Sequence, residues 1–150
     1  MQNIQPTYNT FINCIFYSNN MISNQQLIKK AQSVIRPKKS VPGKLIADVG
    51  AALVTDKDHV FVGVCIDTTE GNGFCAETSA IAAMVTAGEY KIKKIVAVWK
   101  NGTIIAPCGK CREWMWQIHK DNWNTEIILE NKVVTLKELL PYHWHNPKKK

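Results

Sequence analysis

The chain has 150 residues, 45% of them hydrophobic and 21% charged, which are the proportions of one folded domain and exclude a disordered or collagen-like chain. Its net charge of +7 suggests nucleic acid, but the basic residues fall in runs (Lys29, Lys30, Arg36, Lys38, Lys39, Lys44, then Lys148 to Lys150) without interleaved aromatics, the pattern of solvated surface, so no nucleic-acid partner is expected. No run approaches the eighteen or so apolar residues of a membrane span and the first twenty residues lack a signal-peptide pattern, so no membrane is expected, the expected compartment is the cytoplasm, and the five cysteines are expected as thiols.

Residues 1–21 show no clear period and are read as an N-terminal extension of undefined structure, with 22–144 as the domain and 145–150 as a basic tail. Ser23 with Gln26 is a capping-box pattern, and Leu27, Ile28, Ala31, Val34 and Ile35 recur at helical spacing, which predicts a helix from about 24 to 36. Pro37 and Pro42-Gly43 close it. Leu45 to Thr55 and His59 to Ile66 read as a hairpin around the polar turn Asp56-Lys57-Asp58. The loop Asp67 to Gly73 delivers the chain to Cys75, and a helix rich in alanine follows to Gly88, apolar almost all round and expected to lie buried between layers.

Ile92 to Trp99 is a further predicted strand and Asn101-Gly102 a turn. Pro107 suits the first position of a helix running through Trp114, Met115 and Ile118 to His119. Two short strands, Thr125 to Leu129 and Val133-Val134, precede a capping-box pattern at Thr135 and Glu138 that opens a short helix ended by Pro141. The order α, β, β, α, β, α, β, β, α, without an internal repeat, predicts an α/β domain with helices covering a sheet of about five strands.

The chemistry concentrates in Cys75-Ala76-Glu77 and Pro107-Cys108-Gly109-Lys110-Cys111. Three thiols near helix starts can supply three corners of a zinc tetrahedron and leave the fourth for water. Glu77, two residues after the first thiol, is then placed to move protons without ligating the metal. Zinc nucleobase deaminases carry this pattern, a His or Cys, then x-E, then P-C-x-x-C. Other readings exist for the parts. A redox C-x-x-C would leave Cys75-Ala76-Glu77 unexplained, a zinc ribbon needs a second C-x-x-C, and a closed four-cysteine site would have to recruit Cys14 or Cys65. Glu77 could also serve only as a capping carboxylate in a first helical turn.

With Leu139-Leu140-Pro141 near the end, these motifs resemble the cytidine deaminase family, including its blasticidin S deaminase branch, over residues 22–144. The resemblance implies a three-layer αβα sandwich with a mixed central sheet and one Zn2+ per chain on Cys75, Cys108 and Cys111. It implies a homotetramer (or a dimer), and hydrolysis of a free cytosine nucleoside, cytidine or deoxycytidine, with Glu77 carrying protons to ring N3 and the departing amino group. Arg112, after the last thiol, is expected to hydrogen-bond a ligand sulfur, or to be a plain surface arginine. Where family members often have an arginine after C-A-E, this chain has Thr78.

The family's G-x-N-x-E, which holds the sugar, is Gly63-Val64-Cys65-Ile66-Asp67 here, its aromatic before V-G-A-A-L is replaced by Ala47-Asp48, and its glutamine after C-x-x-C-R is Glu113. Sugar contacts are therefore expected from Asp67 and the loop up to Phe74. Phe74 could wall the pyrimidine or pack the core, Ala76 would line the ring, and Trp144 would reach a neighbouring subunit's pocket or simply pack. An antibiotic or other modified cytosine nucleoside is the second substrate expectation, and a nucleic-acid deaminase the third.

Overall fold

A computed structural model describes residues 15–17, 22–69 and 71–144. Helix α1 (Asn24–Ser33) has the full capping box, with Ser23 Oγ accepting from the Gln26 N–H at 3.2 Å and Gln26 Oε1 accepting from the Ser23 N–H at 2.8 Å. It stops short of the expected residue 36 because the Arg36 N–H already bonds the Ala47 carbonyl at 3.0 Å, while Arg36 Nη1 donates to the Ser33 carbonyl at 2.7 Å.

Strands β3 (Leu45–Thr55) and β4 (His59–Ile66) form the expected hairpin, with Asp58 taking the left-handed position of its turn at φ 60°. β5 (Ile92–Trp99) pairs antiparallel with β3, and β7 (Glu126–Ile128) pairs parallel with β5 and antiparallel with β8 (Val133–Thr135). These are the five expected strands. Three short ones join them: β1 (Ile15–Tyr17) on β4, inside the segment read as undefined, β2 (Lys38–Lys39) on β3, and β6 (Ile104–Ile105) on β5. Pairings of two or three residues have no period to read. The sheet is mixed and open, in the order β1, β4, β3, β5, β7, β8.

Alternation along the strands makes two cores. Ala52, Val54, Val60, Val62, Val96 and Val98 meet Leu27 and Ala31 of α1. Ala51, Leu53, Phe61, Ile95 and Ala97 meet Ala80, Ile81 and Met84 of α2 (Ala76–Thr86), Cys111 and Met115 of α3 (Gly109–Ile118), and Leu136 of α4 (Leu136–Leu139). The result is three layers, α1 on one face and the other helices on the opposite one. A glycine sets the close approach on each face. A Cβ on Gly50 would stand 2.1 Å from the Ala31 carbonyl oxygen, and one on Gly63 would stand 2.3 Å from the Ala80 backbone nitrogen.

Two expectations need correction. α2 does not lie between layers: its second side, with Ala82 and Val85, is exposed and lines an apolar groove of about 500 Å³ with Trp114 and Ile118 of α3, because nothing in the chain packs outside it. Pro107 is not the first helical residue either. Cys108 is the N-cap and Gly109 opens α3, which ends at Ile118 where His119 turns extended at φ −154°.

Candidate metal centre and active site

α2 and α3 begin in the same way, with a cysteine at the N-cap and no side-chain capping bond: Cys75 at φ −72°, ψ 159° and Cys108 at φ −67°, ψ 168°. A thiol is a poor acceptor for the first-turn N–H groups, so those groups and the helix dipole stay directed at the sulfurs. Cys111 follows one turn into α3, fully buried. Cys75 Sγ lies 3.5 Å from Cys108 Sγ, which lies 3.6 Å from Cys111 Sγ, and all three fall within 4.8 Å of one another.

Sulfurs at about 2.3 Å from a tetrahedral zinc stand about 3.8 Å apart, so this trio fits the ion, whereas a disulfide needs about 2.05 Å. All four described cysteines are free thiols. Cys108 is exposed, which leaves a side open to a small molecule. Burial and the hydrogen bond with Cys108 push the Cys75 thiol up to about 11, and burial with the nearby Glu77 carboxylate pushes Cys111 up further. Burial also raises Cys108, but the Cys111 backbone N–H and the two neighbouring thiols outweigh it and bring Cys108 below its usual range. Three crowded thiols that resist ionisation for lack of a counter-charge are a donor set suited to a divalent cation.

Glu77, 4% exposed, sits in the first turn of α2, and burial holds its carboxyl above the usual range despite offsetting hydrogen bonds from its own backbone and Cys111. Thr78, also buried, brings its Oγ1 to 3.7 Å from Cys111 Sγ. Arg112 does not bond a sulfur. Its Nε donates to the Pro107 carbonyl at 2.8 Å and its Nη1 to the Leu139 carbonyl at 3.0 Å, because its side chain runs across the entry to α3 toward α4. It ties the cysteine loop to the last helix.

The expected substrate contacts divide. Ala76 is fully buried beside Cys75, and Phe74 is half-buried, exchanging two 3.0 Å backbone hydrogen bonds with Ile66. That pairing makes Cys65 the cross-strand neighbour of Cys75 on one face. Asp67 is exposed and joins Cys65 and Asp48 in a cluster. Trp144 is 66% exposed, held only by its N–H to Glu113 Oε2 at 3.2 Å.

Asp48 and Trp99 were not expected. Asp48, 7% exposed, accepts from the Cys65 thiol at 3.1 Å and from Trp99 Nε1 at 3.1 Å. Burial alone would raise its carboxyl, but these bonds, its own backbone N–H and the charge of Lys100 hold it below the usual range, while burial and the Asp48 bond push Cys65 up. The visible signal was a lone carboxylate inside the apolar run Leu45 to Thr55, which has to find partners.

A family model described as the cytidine and deoxycytidylate deaminase zinc-binding region matches residues 21–126. The chain belongs to that family. A cytidine deaminase of Mycobacterium tuberculosis is 28% identical over 96 residues, 62% of this chain and 69% of the relative. A blasticidin-S deaminase of Bacillus cereus is 32% identical over 104 residues, 62% of this chain and 74% of that one. Among solved structures, a cytidine deaminase from Burkholderia pseudomallei superposes with a TM-score of 0.68 at 27% identity, covering 82% of this chain and 100% of its own. The chain is thus a zinc-dependent deaminase with the cytidine deaminase fold, and among the described residues no helix is long and apolar enough to cross a membrane.

Proposed function

We propose that this chain hydrolyses the exocyclic amino group from the cytosine ring of a free nucleoside, cytidine or deoxycytidine, for pyrimidine salvage in the cytoplasm. The observation that carries this reading is the convergence of the Cys75, Cys108 and Cys111 sulfurs within 4.8 Å, with Glu77 buried two residues after the first of them. Those three thiols hold one zinc per chain. When bound, it supplies the Lewis acidity that makes water a nucleophile near neutral pH.

Glu77 carries the protons. Its burial raises its proton affinity, so the carboxyl can accept a proton from the attacking water and hand protons on to ring N3 and the leaving amino group. Thr78 donates from Oγ1 to Cys111 Sγ and draws charge off that ligand, in concert with the two helix N-termini aimed at Cys75 and Cys108. Arg112 acts one step further out, by fixing the Pro107 carbonyl and with it the loop that presents Cys108. Ala76 and Phe74 flank the ring.

A second substrate reading, a cytosine nucleoside antibiotic or another modified nucleoside, is favoured by one observation. The family's Asn and Glu are Cys65 and Asp67 here, and with Asp48 they place two carboxylates beside the face of Cys75, which suits a ligand rich in hydrogen-bond donors or carrying a positive charge. For assembly we propose a homotetramer, with a dimer as the alternative. The apolar groove between α2 and α3 and the exposed Trp144 support burial against another copy.

The test is metal analysis together with ammonia release from a panel of cytidine, deoxycytidine, blasticidin S and a cytosine-bearing oligonucleotide. One zinc per chain with turnover of cytidine or deoxycytidine supports the first reading. Turnover of blasticidin S alone moves the assignment to the second, and a zinc-loaded protein inert on all four defeats both.

A further inference from the structure

The charge of the chain is segregated by layer. Every one of its 12 acidic residues lies at or beyond Asp48, whereas residues 22–47 carry Lys29, Lys30, Arg36, Lys38, Lys39 and Lys44 and no carboxylate. In the structure this stretch is α1 and the short arm formed by β2, its turn and the start of β3, all on the face away from Glu77 and the three thiols. Lys29 and Arg36 stand seven residues apart, which is two helical turns, so they share the outward side opposite buried Leu27 and Ala31. Lys38, Lys39 and Lys44 continue the strip along the arm, all exposed. Elsewhere the exposed lysines find partners, as in Lys93 with Asp58 and Lys91 with Asp121, each at 3.0 Å. Among the described residues no ion pair involves Lys29, Arg36, Lys38, Lys39 or Lys44.

Five cations on one surface with no counter-charge repel one another and attract a polyanion. The chemistry around them decides which. A bilayer would need an apolar side facing outward, but the apolar side of α1 is spent on the sheet, and Val41 at the tip of the arm is the single large apolar residue exposed on this stretch. A protein partner would need an aromatic or aliphatic anchor, and the exposed neighbours on α1 are instead the amides Gln25 and Gln32. Amides and cations without a stacking platform are what a sugar-phosphate backbone takes. We propose that the outer face of α1 and the adjoining arm bind the phosphodiester backbone of a nucleic acid without reading its bases, separately from the deaminase site on the opposite face. The isolated basic run reads as solvated surface in the sequence; its gathering on one carboxylate-free face is what the fold adds.

The test uses the full zinc-loaded chain and fluorescence anisotropy with labelled mixed-sequence duplex DNA and single-stranded RNA. With up to five phosphates neutralised, affinity should fall by about two orders of magnitude between 50 and 200 mM salt and should not depend on sequence. A Lys38→Glu, Lys39→Glu, Lys44→Glu variant should lose binding at least tenfold while keeping its zinc and its turnover of a free nucleoside. A control with the same change in net charge, Lys120→Glu, Lys132→Glu, Lys137→Glu, should lose far less. Equal losses in the two variants, no binding at 50 mM salt, or binding to phosphatidylserine vesicles in place of nucleic acid would each overturn the proposal. Turnover is read in the same samples, so a failed face and a failed deaminase assignment show as different results.

Discussion

The helices of this chain begin in two ways. α1 and α4 start with capping boxes, Ser23 with Gln26 and Thr135 with Glu138, which satisfy orphan N–H groups and secure each helix locally. α2 and α3 start with Cys75 and Cys108, whose side chains make no capping bond. At about 1 kcal/mol per missing cap, the two helices that carry the site are the less secure ones by local rules. The difference teaches where stability is exchanged for chemistry: the cap position of a helix is where its partial positive charge is strongest, and in these two it is given to a metal-binding thiol.

The sharpest break of this contrast is Cys108→Ala. Cys108 is exposed, so the fold should survive, while zinc falls from one per chain to near zero and ammonia release disappears; metal analysis beside circular dichroism reads both. Glu77→Gln should come next. It keeps nearly the volume and the burial, so zinc should stay, while kcat drops by about 10² to 10⁴, the usual contribution of a positioned proton carrier. A fully active Glu77→Gln enzyme would remove the proton carrier from the proposal.

The same contrast explains what was legible in the amino-acid sequence. Both capping boxes, the five longer strands and the C-A-E and P-C-x-x-C motifs could be read because each rests on spacing within a few residues. The breakdowns are of another kind. Pro107 satisfies the rule for a first helical position, yet the thiol of Cys108 takes the cap and moves the start by two residues to Gly109. Arg112 stands beside a ligand cysteine in the chain but bonds carbonyls of Pro107 and Leu139, and the second of these comes from α4, which no local pattern reveals. The Asp48, Cys65 and Trp99 network joins three strands and exists only once β3, β4 and β5 are in register. Local rules see helix ends, and tertiary partners are invisible to them.

Smaller effects separate the two faces of the sheet. Gly63→Ala drives a Cβ into the Ala80 nitrogen and the Ala76 carbonyl of α2, and Gly50→Ala drives one into the Ala31 carbonyl of α1. Each should cost about 1–3 kcal/mol or more by overpacking. Only Gly63→Ala should also weaken zinc retention, since it displaces the helix that follows Cys75; equal zinc retention in the two variants would mean that α2 does not position the metal.

Acid stability should depend on Glu89, far along the chain from the thiols, where it meets His59. Burial alone would raise its carboxyl, but hydrogen bonds from Thr55 and His59 and the charges of His59 and Lys57 hold it below the ordinary 4.5. A depressed folded value means that the contribution is fully present above the unfolded value and is lost as pH falls through the folded one. Melting temperature should therefore decline below about pH 4.5 in the native chain by a few degrees more than in Glu89→Gln. Identical slopes would show that the pair is not linked to folding.

The smallest effect returns to the caps. Ser23→Ala removes the Oγ that accepts the Gln26 N–H and should cost about 1 kcal/mol, with zinc and turnover unchanged. Cys75→Ser runs the exchange backwards. A serine at that cap gains the acceptor the thiol lacks, so the metal-free protein should become more stable by about 0.5–2 kcal/mol in urea melts even as zinc binding collapses. The two results belong together, because a metal-free Cys75→Ser protein no more stable than the metal-free parent would mean that the start of α2 is satisfied some other way. In that case its N–H groups are not held in reserve for the thiolate.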